Sequence, residues 1–308
     1  MSSGTAASGG GISDNLRGAL FMMASMLAFL LNDTFMKALG AHLPLYQAIG
    51  MRGIATTVLL AAIGLATGGL RWDLSRGDRW RVVVRSIAEA LSAIFYIGAL
   101  FNLPLANATA ILQALPLTVT LAGALFLREP VGWRRWSAIL VGFMGVLLIV
   151  RPGPDGFNHF TLLALAAVAT VTLRDLVTRK LDPKVPSMTV AVSSSLGATL
   201  FALAASTTTP WVPLNLTAAA LMAGAALFVI LGYMFSIMAM RVGDLAAVTP
   251  FRYTGLVFGL ILGLVVFGDW PDGLTLLGAG IVVATGLFTL YRERAVKRPE
   301  GPVPLRIR

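Results

Sequence analysis

Ten apolar runs, each about 18 to 25 residues long, divide nearly the whole chain and constrain what it can fold into. They lie at 16–39, 44–68, 79–101, 104–127, 133–151, 160–181, 187–208, 215–240, 245–268 and 273–291. The hydrocarbon core of a bilayer is about 30 Å thick and requires about 20 apolar residues from each spanning helix. The connections between the runs are short and contain the glycine and proline residues that are typical of turns. The sequence therefore predicts an all-α polytopic membrane protein with ten transmembrane helices.

The composition excludes a soluble globular protein. Of the 308 residues, 57% are hydrophobic and 12% are charged, whereas about a quarter of the residues in a soluble domain are charged. The net charge of +10 comes from short basic clusters between the apolar runs, a distribution that indicates a membrane protein rather than a nucleic-acid-binding protein.

The chain contains no cysteine, so disulfides and thiolate metal sites are excluded. The expected partners are the lipid bilayer and a small molecule, and no cofactor or metal is expected.

The basic residues also predict the orientation of the chain in the membrane. If the N-terminus is cytoplasmic, the segments on the cytoplasmic side contain nineteen lysine and arginine residues, and those on the outer side contain Lys37 and Arg151 alone. Lysine and arginine are enriched in cytoplasmic loops. The sequence therefore predicts a multi-pass protein of the inner (plasma) membrane with both termini in the cytoplasm.

The two halves of the chain carry the same residues in the same order. A shift of 142 residues aligns Asp33 with Asp175 and Lys37 with Arg179, and shifts of 140 and 141 residues align further positions. Because each half has an odd number of helices, the second half must enter the membrane from the opposite side, which predicts inverted repeats. The predicted organisation is a mobile tail at 1–15, a first five-helix unit at 16–151, an inter-repeat loop at 152–157, a second five-helix unit at 158–292 and a basic tail at 293–308.

Two stretches, at 106–152 and 245–292, carry a resemblance to a known family. Each has a turn with an acidic residue after the fourth helix of its unit, Arg128-Glu129-Pro130 and Gly268-Asp269-Trp270-Pro271, followed by a fifth helix rich in small residues. The chain resembles, over about 16–292, the paired EamA-type units of the drug/metabolite transporter superfamily. Within that superfamily it is most similar to bacterial exporters of amino acids, including aromatic amino acids. The sequence leaves open whether the protein acts as a monomer or a homodimer.

Several polar side chains interrupt the apolar runs and are candidates for a substrate cavity. A charged residue at mid-membrane costs about 2.5–3.5 kcal/mol, so it must face protein or water. In the third predicted helix the polar positions 85, 89, 92 and 96 fall on one face, and the fourth helix repeats this spacing. Arg85 and Glu89 have the alternative interpretation of a structural pair within one helix. The predicted cavity residues are Arg52, Glu89, Tyr96, Gln113, Arg252 and Tyr253.

Two acid–base pairs and one glycine face complete the candidate residues. Asp33 and Lys37 are predicted near the outer mouth of the cavity and Asp175 with Arg179 near the inner mouth, each pair four residues apart on one helix face. We expect a gating role, in which each acid reaches another helix when its mouth is closed. The alternatives are interfacial or structural ion pairs and, for Asp33 and Lys37, contact with the substrate. A second face of small residues predicts close helix packing, with sliding of the helices as the alternative. It consists of Gly255, Gly259 and Gly263.

The motifs that are missing narrow the function. The sequence has no phosphate-binding G-x-x-x-x-G-K-[ST] loop, no H-E-x-x-H and no G-x-S-x-G, so neither ATP hydrolysis nor these hydrolase chemistries are expected. A cavity that offers Arg52, Arg252 and Glu89 suits a zwitterion with a carboxylate and an ammonium group. The sequence therefore predicts a secondary transporter that is not an enzyme and that exports amino acids or related metabolites. The alternatives are efflux of other metabolites or drugs, such as carboxylates, nucleobases or lipophilic cations, and, less favoured, an intramembrane enzyme.

Overall fold

A computed structural model describes residues 14–128, 131–151, 158–242 and 248–297, and every regular element in these ranges is a helix. The α-helices are α1 (Asp14–Leu39), α2 (Leu45–Ala66), α3 (Arg76–Asn102), α4 (Leu105–Leu112), α5 (Leu115–Phe126), α6 (Trp133–Val150), α7 (Phe160–Arg179), α8 (Ser187–Ser206), α9 (Leu216–Val242), α10 (Thr254–Phe267) and α11 (Gly273–Lys297), and a 3-10 helix (Thr249–Tyr253) precedes α10. Parts of the sequence predictions lie outside the described residues: the tail before residue 14, Glu129 and Pro130, the loop at 152–157, residues 243–247 and the chain after residue 297.

Ten helical segments of the described chain are long and apolar enough to cross a bilayer, which confirms the predicted all-α polytopic membrane protein. The helices extend beyond several predicted ends. α1 begins at Asp14, inside the predicted tail, and α11 continues to Lys297. α3 begins at Arg76 because the Ser75 hydroxyl accepts a hydrogen bond from the backbone N–H of Asp78 at 3.0 Å. Such an N-cap satisfies one of the free N–H groups at the start of a helix.

The fourth and ninth spans are interrupted at matching places. The fourth consists of α4 and α5, which meet at Gln113, and Pro116 occupies the first turn of α5. In the ninth span Pro250 lies in the first turn of the 3-10 helix that leads into α10. Proline has no N–H group, so the carbonyl four residues earlier loses its helical partner and the helix breaks. Both spans therefore contain irregular backbone, which is tolerated in a membrane only next to protein or water.

All six tryptophans lie near helix ends with exposed side chains. Four flank the connections before α3 and α6, and two flank the connections before α9 and α11. With ten alternating crossings, the first four fall on one side of the membrane and the other two on the opposite side. Tryptophan is enriched at both membrane interfaces because its ring is amphipathic. The helix ends therefore mark the two surfaces of the bilayer.

Helices from the two halves of the chain pack against each other in pairs. α1 lies along α9, α3 lies along α7, α2 contacts α8 and α6 contacts α11. Where α2 meets α8, the hydroxyl oxygen of Thr57 lies 2.7 Å from that of Ser195 and 3.2 Å from that of Thr199. Hydroxyl groups that bond across helices avoid unsatisfied exposure to hydrocarbon. These contacts join the halves inside the membrane and bring their polar side chains into one interior.

The predicted glycine face of the ninth span lies against the first and fourth spans. A Cβ added at Gly259 would lie 3.0 Å from the hydroxyl oxygen of Thr109 in α4, and one at Gly263 would lie 3.8 Å from the backbone N of Ala106. At Gly255 the nearest atom would be Leu30 Cδ2 of α1 at 3.6 Å. The absence of side chains therefore lets the broken fourth and ninth spans approach each other.

A second close approach, which the sequence analysis did not single out as a contact, joins α6 to α11. A Cβ added at Gly145 would lie 2.8 Å from the carbonyl oxygen of Gly278, and one at Gly278 would lie 2.5 Å from the carbonyl oxygen of Gly145. Both neighbours are backbone atoms and cannot move as a side chain would. Glycine is therefore required on both helices at this contact.

We expect Gly145→Ala to destabilise the fold by about 1–3 kcal/mol, because the added methyl group must push two helix backbones apart. The matched control is Gly280→Ala on α11, where an added Cβ meets nothing within 4 Å. The midpoint of thermal unfolding of the detergent-purified variants measures the difference. Equal midpoints for the two variants would show that the α6–α11 contact does not need glycine.

Candidate functional site

Asp33 lies in a hydrogen-bonded cluster with three other polar residues. Its carboxyl oxygens accept hydrogen bonds from the Tyr96 hydroxyl of α3 at 2.7 Å and from the side-chain amide of Asn32 at 2.9 Å. The Asn32 carbonyl oxygen accepts a hydrogen bond in turn from Arg52 of α2 at 3.1 Å. Asn32, with 3% exposure, is therefore the link between Asp33 and the guanidinium. We call these four residues the Asp33 cluster; it contains predicted cavity and gating residues together.

Lys37 does not form the predicted pair with Asp33. Its ammonium group donates hydrogen bonds to the backbone carbonyls of Leu103 at 2.6 Å and Leu100 at 3.2 Å, at the end of α3. It also lies 5.3 Å from the ring centroid of Phe267. The last carbonyls of a helix have no partner within the helix and attract a cation. This correction gives Lys37 the role of capping α3, while Asp33 is satisfied by Tyr96 and Asn32.

Glu89 lies at the centre of a second cluster, formed by α3 and α7. A carboxylate oxygen of Glu89 is 3.3 Å from Arg174 and 4.0 Å from Arg85, and Arg174 also lies 2.9 Å from Asp175. The side chains of Arg85, Glu89 and Arg174 are 17%, 22% and 25% exposed, so the ion pairs are largely shielded from solvent. We call these four residues the Glu89 cluster. Arg85 also donates hydrogen bonds to the hydroxyls of Thr178 and Ser194, which ties α3 to α7 and α8.

Arg174 is one of the nineteen basic residues that the sequence assigned to the cytoplasmic segments. The structure places it in the Glu89 cluster. Arg174 is five residues from the end of α7, a position that also suits a boundary charge. One signal pointed to the correct place: the shift of 142 residues aligns Arg174 with Asn32, the central residue of the other cluster. Asp175 bonds to Arg174, and Arg179 lies exposed at the end of α7.

Arg52 connects the two clusters. It interacts electrostatically with Asp33 on one side and with Glu89 on the other, and also with the hydroxyl of Tyr233 from α9. Tyr233 in turn interacts with Glu89 and Arg174, and its ring meets Phe29 of α1 at 5.3 Å between centroids. The charged residues therefore form one group in the interior between the two halves. Tyr233 is a further member that the sequence analysis named only as one of several aromatic residues in the spans.

The remaining predicted cavity residues lie at the two broken spans. Arg252 has an exposed side chain, and Asp175 and Arg174 are the charges with which it interacts. Gln113 lies at the α4–α5 break, with its amide facing Gly255. The ring of Tyr253 packs over Gly286 of α11 with 6% exposure. Its buried hydroxyl has no hydrogen-bond partner among the residues that the structure describes. The structure therefore brings Arg252 to the charged group and directs Tyr253 towards the last helix instead.

A separate apolar groove of about 750 Å³ lies between α5, α6 and α7. Aliphatic side chains dominate its walls, and the hydroxyl oxygens of Thr118 and Thr172, which also line it, lie 2.8 Å apart. Lys180 is the one charged residue among the described residues that line this groove, and no member of the Asp33 cluster or the Glu89 cluster lines it. It suits hydrocarbon, whereas a polar substrate requires the charged group between the halves.

Three curated transporters are similar to this chain over nearly their whole length. The riboflavin transporter of Vibrio cholerae serotype O1 is 30% identical over 289 residues, which cover 92% of this chain and 96% of the relative. The S-adenosylmethionine uptake transporter of Rickettsia conorii is 25% identical over 280 residues (91% and 94%), and the pseudopaline exporter of Pseudomonas aeruginosa is 27% identical over 283 residues (90% and 96%). All three are transporters of small molecules, which supports a transporter rather than an enzyme.

The fold and the family agree with these relatives. A protein of known crystal structure superposes with a TM-score of 0.62 over 91% of this chain and 99% of its own, at 20% sequence identity, so the two share a fold. The sequence model described as the EamA-like transporter family matches residues 16–151 and again residues 160–291. The chain, a small-molecule transporter of ten spans, therefore belongs to the EamA-like transporter family.

Proposed function

We propose that the protein is a secondary transporter that exports amino acids or related small metabolites across the inner (plasma) membrane. The observation that carries this proposal is the contact between Glu89 and Arg174, an ion pair of 3.3 Å whose two residues come from different halves of the chain. Charges inside a membrane protein are expensive and commonly mark a substrate pathway. Alternating access through a central cavity between the halves accounts for this placement.

The proposed cycle rests on inverted repeats with both termini in the cytoplasm. One family model matches the chain twice, and the second match begins after five spans. An odd number of spans between equivalent positions reverses the second unit relative to the first. The helix pairs α1–α9 and α3–α7 support this arrangement. In span order, α1–α9 joins the first span to the eighth, and α3–α7 joins the third to the sixth. A repeat that matches the first span with the sixth and the third with the eighth converts one pair into the other.

The charged group favours a substrate with both signs of charge. The guanidinium groups of Arg52 and Arg252 suit a carboxylate, and the Glu89 carboxylate suits an ammonium group, with Tyr96 and Gln113 as neutral hydrogen-bond partners. Amino acids and their derivatives carry both groups. One relative is an uptake transporter and another an exporter, so the direction in this proposal rests on the resemblance of the sequence to amino-acid exporters.

The orientation of the halves is tested with single cysteines at two equivalent glycines, since the chain has no native cysteine. Gly132 immediately precedes the fifth span, and Gly273 is the first residue of the tenth. An added Cβ meets nothing within 4 Å at either position. In intact cells, an impermeant thiol reagent is expected to label the cysteine at 273 and to leave the cysteine at 132 unlabelled until the membrane is permeabilised. Labelling of both from the same side would contradict inverted repeats.

The role of the central ion pair is tested by Glu89→Gln and Arg174→Gln. Each variant breaks the ion pair that joins the two halves and leaves the remaining charge with only its partner on the same helix. We expect transport in proteoliposomes to fall at least about tenfold, since breaking a largely shielded pair costs several kcal/mol. The monodispersity of the purified variants reports whether they fold.

The matched control for this pair is Asp272→Asn, which removes an ion pair with Arg151 at an exposed site. The backbone N–H of Thr275 donates to the Asp272 carboxylate at 2.9 Å and lowers its pKa, so this group is ionised at neutral pH. An exposed pair of this kind contributes only about 0–1 kcal/mol. Transport by the control should stay within about twofold of the parent protein. If Asp272→Asn reduced transport as much as Glu89→Gln and Arg174→Gln do, the central ion pair would have no particular importance for transport.

The gating hypothesis for the first half is tested at the Asp33–Tyr96 hydrogen bond. Asp33→Asn and Tyr96→Phe each weaken the contact between α1 and α3. Each is expected to increase the labelling of a cysteine at position 92 from outside by about tenfold, because a hydrogen bond to a charged group contributes about 1.5–3 kcal/mol. If both variants act through one contact, the double variant should equal either single variant. Unchanged labelling in both would leave the contact with a structural role only.

A further inference from the structure

The central charged group contains more positive than negative residues. We define it as the three carboxylates and four guanidinium groups that contact or interact with one another between the halves of the described chain. Its members are Asp33, Glu89, Asp175, Arg52, Arg85, Arg174 and Arg252. With every residue in its ordinary ionic form, the described group has a surplus of one positive charge.

The surplus can be located among the guanidinium groups. Arg174 lies within 3.3 Å of Glu89 and 2.9 Å of Asp175, and Arg85 lies 4.0 Å from Glu89. Among the described residues, no carboxylate lies within 4.0 Å of Arg52 or of Arg252, and Arg52 donates to the neutral amide of Asn32 instead. Arg252 makes no hydrogen bond to any residue in the described part of the chain. The two arginines are therefore available for an anionic ligand.

The position of Arg252 makes an unused positive charge costly. It lies within the ninth span beside the proline-induced break, and its side chain is exposed. Charged residues within spans almost always face the interior of the helix bundle or a water-filled cavity, and Arg252 interacts there with Asp175 and Arg174. Guanidinium groups bind carboxylates and phosphates through two parallel hydrogen bonds. A substrate with a surplus acidic group would neutralise the cavity during its passage, whereas a neutral zwitterion would leave the surplus in place.

We propose that the preferred substrates carry a net negative charge, as acidic amino acids do with two carboxylates and one ammonium group. The inference rests on the proposed transport of amino-acid-like metabolites and narrows it to anionic members of that class. Arg252 binds the additional carboxylate, and the Glu89 cluster and Arg52 receive the zwitterionic part. Coulomb attraction at the separations within such a cavity discriminates strongly between substrates that differ by one charge.

The experiment compares glutamate with its neutral isostere glutamine, and with lysine, in proteoliposomes. Glutamate is expected to be transported at least about tenfold faster than glutamine. Arg252→Gln removes the surplus charge and should lower the ratio of glutamate transport to glutamine transport at least about tenfold. Arg252→Lys keeps the positive charge, so glutamate should still be transported faster than glutamine. Arg241→Gln, at the exposed end of α9, is the matched control and should keep the ratio of the parent protein.

The outcomes separate the two proposals. Transport of glutamine or lysine without a preference for glutamate would overturn the charge inference and leave amino-acid transport intact. If none of the three is transported, amino-acid transport fails, and the charge inference is decided by thermal stabilisation of the purified protein. Succinate should then stabilise it more than succinamide, and Arg252→Gln should remove the difference. Equal effects of the acid and the amide, or no effect of either, would overturn the inference.

Discussion

A charged side chain remains inside a bilayer only where another part of the protein supplies its partner, and the Glu89–Arg174 contact meets this condition across the two halves of the chain. Neither half contains both residues, so each half alone would lose this contact and keep only the Arg85–Glu89 or the Arg174–Asp175 pair within its own helix. Arg85 and Asp175 extend the contact along α3 and α7. The pairing of these two helices is therefore an electrostatic requirement as well as a packing arrangement, and the interior that they enclose is polar.

The broken fourth and ninth spans depend on the same condition. A helix interrupted by proline exposes backbone carbonyls, and a bilayer tolerates these only beside protein or water. The two breaks lie opposite each other, since Gly259 admits Thr109 and Gly263 admits the backbone of α4 near Ala106. Their irregular turns place Gln113 and Arg252 beside the polar interior. The prolines break both spans, and the small residues on the ninth span let the breaks lie close together. Gln113 and Arg252, which lie at the breaks, therefore face the site.

The sequence predicted the features that depend on local physics. The thickness of the hydrocarbon core determined the ten spans of the described chain. The breaks in two of these spans were found only in the structure, where they lie beside Pro116 and Pro250. Glu89 could be recognised as a candidate because it lies inside an apolar run, on one helix face with the polar positions 85, 92 and 96. The extension of α11 to Lys297 was missed, since a basic helix end that leaves the membrane resembles a polar tail in composition alone.

The partners of the site residues depended on tertiary contacts that composition does not reveal. Lys37 donates hydrogen bonds to backbone carbonyls at the end of α3. Every residue has a backbone carbonyl, so the sequence does not indicate which of them will accept such a bond. Tyr253 turns towards α11 because Gly286 leaves room for its ring, a space that only the packed structure defines. In the sequence Arg174 has the position of a boundary charge near the end of a span. The packing of α7 along α3 brings it to Glu89 instead. In each case the residue type was informative, and the direction of the side chain was set by a distant helix.

Asp33 and Asp175, which the shift of 142 residues aligns, are bonded differently, and this asymmetry bears on the proposed transport cycle. Asp33 accepts from the neutral donors Tyr96 and Asn32, whereas Asp175 is held by the guanidinium of Arg174. A hydrogen bond between a neutral and a charged group contributes about 1.5–3 kcal/mol, and breaking a buried ion pair costs about 3–5 kcal/mol. In an alternating-access cycle the Asp33 contacts would then open at lower cost than the Glu89 cluster. A substrate that supplies a carboxylate to Arg174 as its own partners separate would reduce this difference, because the guanidinium exchanges one carboxylate for another instead of losing its partner. The substrate's acidic group would thus couple binding to the opening of the more strongly held side, as a population shift requires.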